Sequence, residues 1–310
     1  MFDKMILNAQ IDFVRDAERI AERHHLVRCT EGSETYYQSS ALSNIEGIWW
    51  KIKGSSAQIK CSIHKLYWRS RYGTLDNSQM FTISDAKQII SELLDDWDID
   101  PSRVRITYYE VGLNIPVDND PIEYISLAES IGGIRNRELF NDANFEKNRQ
   151  KTTEKSRNIK KVFKIYDKGY ESRDKRRVCE GNILRIETIY RRQNIYLTDF
   201  FSEQSLYNVL HTFYKDWANI EFKRRLSADK GIKSSQIDKA EALLRLGREK
   251  YLLSAQNDWK LGHLTDKQYR TIREFIAAWD SIKGHFRMLP SSYEVEYKSK
   301  LLELFNQAKL

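Results

Sequence analysis

The sequence predicts an α+β fold: a largely antiparallel sheet with flanking helices, followed by a helical C-terminal region. Three observations carry this. Runs of alternating apolar and polar residues, the period-2 mark of half-buried strands, recur through the first two thirds of the 310-residue chain. The order strand, helix, strand, basic loop, strand, strand suits antiparallel pairing. After about residue 199 the apolar spacing changes to that of helices packed on one face. Two regions follow, residues 1–200 and 201–310.

In chain order, Met5-Ile6-Leu7 predicts a short first strand, and residues 11–23 a weak helix through Ile11, Val14, Ile20 and Ala21. Residues 35–68 read as strands, broken at Gly47, Gly54 and Ser55-Ser56. Alternation is clearest in Ile59-Lys60-Cys61-Ser62-Ile63, and its continuation places His64 on a strand. Residues 84–97 predict a helix with Ser84 as N-cap and an apolar stripe of Ala86, Ile89, Ile90, Leu93 and Leu94. Pro101 precedes a strand over 104–114. Residues 141–160 contain no Tyr, Val, Leu or Trp and read as a surface segment. Strands over 162–168 and 182–191 follow, separated by a turn that holds Tyr170. Helices are predicted over 202–217, 235–253 and 265–282. Thr265-Asp266-Lys267-Gln268 is a capping box, with Gly262 closing the helix before it, so this pair reads as an αα-hairpin.

Composition excludes several classes. Hydrophobic residues make up 41%, enough for a sizeable core, and 4 prolines with 13 glycines leave little room for long linkers. No apolar run approaches ~18 residues, so no membrane span is expected. The start lacks the layout of a secretory signal. Cys29, Cys61 and Cys179 have neither disulfide nor zinc spacing, which makes the cytoplasm the default location. No Gly-rich phosphate loop is present.

The net charge of +7 is unevenly spread. Residues 147–192 hold 16 Lys/Arg against 6 Asp/Glu, a net of +10, leaving −3 for the remainder. Such a block suits a polyanion, because each neutralised phosphate releases counterions; a solvated basic face explains the charge alone equally well. Candidate DNA contacts are Lys160, Lys161, Lys164, Arg176, Arg177, Arg185, Arg191 and Arg192.

Three predicted strands each carry a carboxylate among apolar residues. Glu110 shares a face with Val104, Ile106 and Tyr108, Asp167 with Phe163 and Ile165, and Glu187 with Ile183, Arg185 and Ile189. A carboxylate on a buried face is costly unless paired or metal-bound. Three on neighbouring strands would make an oxygen-rich site for Mg²⁺ or Mn²⁺. Pairing with basic side chains, such as Glu187 with Arg185, is the simpler alternative for any one of them.

Ile165-Tyr166-Asp167-Lys168 followed by Leu184-Arg185-Ile186-Glu187 resembles the closing strand motifs of rolling-circle replication initiators of plasmids and filamentous-type phages. Tyr109-Glu110-Val111-Gly112-Leu113-Asn114-Ile115 resembles their acidic strand, Ser62-Ile63-His64-Lys65-Leu66-Tyr67 an earlier motif, and Met1-Phe2-Asp3-Lys4 the start of phage-type members. The resemblance spans roughly residues 1–217, in the same order. It implies a nuclease and DNA-binding domain over 1–200 that nicks one DNA strand. A divalent metal, Mg²⁺ or Mn²⁺, would sit on Glu110, Asp167 and Glu187, and a tyrosine would attack the phosphate, leaving a 3′-OH that primes replication. Lys168 would contact phosphate. No His-hydrophobic-His pair occurs, and residues 141–165 hold no tyrosine, so Tyr166 and Tyr170 are the nucleophile candidates. Implied partners are single-stranded or hairpin origin DNA and a host replication helicase. A non-catalytic origin-recognition or repressor protein on the same fold is the alternative.

Overall fold

A computed structural model describes residues 1–40, 47–131, 137–141, 145–154, 158–174 and 179–308. The chain forms two compact units, Met1–Glu221 with Tyr293–Leu310, and Phe222–Ser292. The division drawn at 200/201 from the sequence falls inside the first of these.

The elements run β1 (Phe2–Gln10), α1 (Phe13–Arg23), β2 (Val27–Glu31), β3 (Glu34–Gln38), β4 (Ile48–Lys53), β5 (Ser56–Ser62), α2 (Ile63–Tyr72), α3 (Ile83–Trp97), β6 (Val104–Pro116), α4 (Pro121–Leu127), β7 (Ala128–Ile131), β8 (Arg137–Glu138) and β9 (Phe140–Asn141). They continue with α5 (Phe145–Asn148), β10 (Gln150–Thr152), β11 (Lys161–Asp167), α6 (Lys168–Asp174), β12 (Ile183–Tyr196), α7 (Leu197–Phe200), α8 (Glu203–Ala218) and β13 (Ile220–Phe222). Last come β14 (Arg225–Ala228), α9 (Ser234–Leu246), α10 (Arg248–Lys260), α11 (Asp266–Ile282), β15 (Phe286–Leu289) and α12 (Ser292–Ala308).

Ten strands form one sheet in the order β2-β3-β4-β5-β1-β6-β12-β11-β10-β9, with antiparallel neighbours throughout. The predicted α+β class with a helical C-terminal region is what the chain adopts. Antiparallel sheets can leave one face to solvent. In this sheet part of one face, over β4, β5 and β1, is half-buried or exposed, while the same face over β11 and β12 buries Val162, Tyr166, Arg185, Glu187 and Ile189. Its packed face carries Phe2, Met5, Leu7, Trp50, Ile59, Val111 and Phe163, all buried. Helices cover it: Trp50 packs edge-on against Trp97 of α3, and Phe163 against Trp217 of α8. The Trp217 indole donates to Thr188 Oγ1 of β12 at 3.0 Å, so the buried ring leaves no orphan N–H. The opposite face carries Lys4, Lys60, Trp49, Tyr108 and Lys164, half-buried or exposed.

Phe222–Ser292 has its own core, in which Leu226, Ala240, Leu243, Phe275, Ile276 and Phe286 are buried together. The capping box predicted at Thr265 is present: Thr265 Oγ1 accepts from the Gln268 amide at 3.3 Å, and Gln268 Oε1 accepts from the Thr265 amide at 2.8 Å.

Several local expectations are corrected. The first strand is nine residues, because polar Lys4 and Asn8 sit on its solvent side without ending it. His64 lies on α2: Ser62 turns its hydroxyl to the Lys65 amide and starts a helix there. The cap of α3 is Thr82, boxed with Asp85, and not Ser84. The segment 141–160 contributes β10 to the sheet. Tyr170 sits in the first turn of α6, which Asp167 caps by accepting from the Tyr170 amide at 2.8 Å. The helix expected over 235–253 is two, broken at Gly247 (φ 78°). No helix among the described residues is long and apolar enough to cross a membrane.

Candidate functional site

The three central strands, β1, β6 and β12, each bring one carboxylate to the open face. β6 and β12 pair Glu110 with Ile189 and Gly112 with Glu187, which puts Glu110 and Glu187 on one side of the sheet two residues out of step. β1 adds Asp3 where its register against β6 shifts between Phe2 and Met5. Ligand oxygens of Asp3, Glu110 and Glu187 all lie within 4.8 Å of one another, so the group can hold a metal ion.

Arg185 threads this cluster. Its Nη2 donates to Asp3 at 2.7 Å, its Nε to Glu187 at 2.6 Å and its Nη1 to Asn114 Oδ1 at 2.9 Å. The guanidinium reaches across β6 only because residue 112 is glycine: a Cβ there would stand 2.8 Å from Nη2 and 3.1 Å from Glu187 Cγ. Hydroxyls complete the floor. Tyr166 donates to Glu187 Oε1 at 2.9 Å, Tyr108 to Glu110, and Ser62 to Asp3. His64 is buried alongside, stacked on Phe81, and its Nε2 has no partner among the described residues.

The charges are unbalanced. Three carboxylates face one guanidinium, leaving two negative charges if all ionise. Burial, then Glu187 and Asp3, push the Glu110 carboxyl up to about 7. Burial opposes ionisation of Asp3 too, but Arg185, with His64 and Ser62, outweighs it and holds that carboxyl well below the usual range. Burial, then Glu187, holds the Tyr166 phenol well above its ordinary value. An all-oxygen donor set with this excess charge suits a hard divalent cation.

The cluster forms one wall of a cleft of about 460 Å³. Lys4, Lys65, Lys147, Lys164 and Lys168 line it, with Tyr166 and Tyr170. Lys168 is buried and held by Asn77 Oδ1 at 2.7 Å and Glu171 at 2.8 Å; burial, then Arg185, lowers its pKa. The Tyr170 ring has the Arg149 guanidinium 5.1 Å from its centroid.

Of the residues singled out from the sequence, Glu110, Glu187, Tyr166, Tyr170, Lys164 and Lys168 meet in this cleft. Asp167 does not join the carboxylates. Register pairs Lys164 with Glu187, so Asp167 three residues on falls to the other side, where it pairs with Arg149 at 2.8 Å. Several proposed DNA contacts are spoken for within the protein. Arg185 is buried in the cluster, Lys161 pairs with Asp216, and Arg191 is bidentate to Glu154 at 2.7 and 3.1 Å. Lys160 and Arg192 are exposed, Arg192 with a hydrogen bond to Asn158. Arg176 and Arg177 lie outside the described residues. Sequence reasoning missed Asp3, whose signal was a carboxylate beside the apolar Phe2 and Met5 of the first strand, and Lys4 and Lys65 at the cleft.

No protein-family model matches the chain, and no curated protein matches it.

Proposed function

We propose that the protein is a rolling-circle replication initiator that nicks single-stranded DNA with a divalent metal and a tyrosine. The observation that supports this best is the shared cleft: three carboxylates, a tyrosine beside them and a rim of lysines. Asp3, Glu110 and Glu187 would hold Mg²⁺ or Mn²⁺. A bound ion of that kind would polarise the scissile phosphate, which a phenol with an ordinary pKa of about 10 cannot attack unaided at neutral pH. Lys147 and Lys164 bring positive charge to the strand's phosphates. Tyr170 is the preferred nucleophile. Tyr166 is buried and donates its hydroxyl to Glu187, which makes it a positioning residue. Attack by the Tyr170 oxygen would form a phosphotyrosine and release a 3′-OH. Single-stranded or hairpin origin DNA is the substrate this reading implies, and a host replication helicase the partner.

A second reading, binding without cleavage, draws on Arg185. Its guanidinium already supplies a counter-charge to Asp3 and Glu187, so the cluster has an internal partner. The two readings separate on labelled single-stranded DNA from the element's own origin, incubated with Mn²⁺ or with EDTA and run on a denaturing gel. Nicking gives a metal-dependent protein–DNA band that is lost in Tyr170→Phe. DNA binding without a band under any metal refutes it.

A further inference from the structure

We propose that the open face of the sheet, from β6 across β1, β5 and β4 to β3, is a binding track for a single strand of DNA, leading away from the carboxylate cleft. Side chains on this face combine cations and rings, in strand order Tyr108, Lys4, Lys60, Trp49 with Lys51, and Tyr36. Lys4 lies 5.8 Å from the Tyr108 ring, Lys60 stands 4.0 Å over Trp49, and Lys51 stands 4.8 Å over Tyr36. The register accounts for it: Ile6 faces both Tyr108 and Lys60, and Lys60 faces Trp49, so these residues share one side. Four strand spacings of ~4.8 Å carry the row roughly 19 Å from β6.

Two features favour a polyanion with exposed base faces. Among the described residues neither Lys51 nor Lys60 has a carboxylate within ion-pair distance, so the charge is uncompensated. Burial, then the neighbouring Lys4 and Lys51, lowers the pKa of Lys60, as expected for cations crowded together without anions. The rings supply the second feature. Trp49 and Tyr36 are part-exposed, and a base stacks on such a ring whatever its identity. A duplex hides its base faces and cannot use them. The row ends at Tyr108, whose hydroxyl donates to Glu110, so a strand lying on it would run into the carboxylate cluster. The choice of DNA over RNA rests on the nicking reading above.

The test is equilibrium binding of fluorescein-labelled oligothymidylate to the full chain in EDTA, where no adduct can form. Trp49→Ala should weaken binding about tenfold or more, and Trp49→Phe, which keeps a ring, much less. An abasic oligomer of equal length should bind weakly and be indifferent to Trp49→Ala. Lys60→Gln should reduce the slope of log affinity against log salt by about 0.7. Circular dichroism checks that each variant is folded. Wild-type affinity in both Trp49→Ala and Lys60→Gln would overturn the track, as would tighter binding of duplex or of oligouridylate. The two readings fail separately: a covalent band in Mn²⁺ with Trp49-independent binding removes the track alone, and Trp49-dependent binding with no band removes nicking alone.

Discussion

Gly112→Ala tests whether the carboxylate cluster is organised by Arg185. The new methyl would stand 2.8 Å from Arg185 Nη2, 3.2 Å from its Cζ and 3.1 Å from Glu187 Cγ. Nη2 is the nitrogen that donates to Asp3, so the clash cannot be relieved without loosening that bond. A hydrogen bond to a charged group is worth about 1.5–3 kcal/mol, and overpacking a tight site adds about 1–3 kcal/mol. Replacing glycine where the backbone permits it returns only about 0.4–1 kcal/mol by stiffening the unfolded chain. The net expectation is a loss of about 1.5–5.5 kcal/mol, read by urea denaturation in EDTA. At about 2–4 °C per kcal/mol for a chain region of this size, the melting temperature should fall by several degrees or more. A change within about 0.5 kcal/mol, the usual span of neutral surface substitutions, would show that Arg185 does not lie across β6 as described.

Glu110 gives a pH dependence. Its folded pKa, near 7, lies above the ordinary carboxylate value, so the native state binds the extra proton. That contribution is fully present below the unfolded pKa of about 4.3 and is lost as pH rises through about 7. In EDTA, the stability of wild type relative to Glu110→Gln should therefore fall between pH about 5 and about 8, and a rise would contradict the assignment. Thr82→Ala should cost about 1 kcal/mol in chemical denaturation by removing the α3 cap, whereas exposed Ser84→Ala should change little. Gly247→Ala meets no atom within 4 Å, so its cost is backbone alone: at φ 78° and ψ 158° about 1–3 kcal/mol, seen by calorimetry.

Much of the site was legible because strand alternation is local. Glu187 keeps the face its own strand assigned, with Arg185 and Ile189, but Glu110 shares a face only with Tyr108 and not with Val104 and Ile106, because a register shift against Ile6 and Leu7 turns β6 over between Ile106 and Tyr108. Asp167 could not be placed against them, because the match of Lys164 to Glu187 is set by how β11 and β12 meet across an intervening helix. Asp3 depended on a register shift between β1 and β6, a feature of two segments about 100 residues apart with no single-strand signature. The basic block misled for a related reason. Whether an arginine is free depends on distant acids: Glu154 lies 37 residues from Arg191, and Asp216 lies 55 from Lys161. A charge count over 147–192 includes Glu154 but not which cation it holds, and omits Asp216 altogether. The cap at Thr265 was legible from its box with Gln268, whereas the α3 cap was not, because Thr82 and Ser84 lie within one turn and the box partner of Thr82 is Asp85 and not Glu or Gln.

The division of the chain bears on the order in which it can fold during synthesis. Phe222–Ser292 is continuous, and its core partners are all made before residue 293 leaves the ribosome. The sheet-bearing unit is not continuous. Its α12 returns after those residues to stack Phe305 on Tyr214 at 4.7 Å and to hydrogen-bond Tyr297 to the Trp217 carbonyl at 3.3 Å. Until α12 emerges, the sheet-bearing unit lacks that part of its helical cover. A ribosome paused before residue 293 therefore holds a sheet unit whose Trp217 carbonyl and Tyr214 ring still lack their partners from α12.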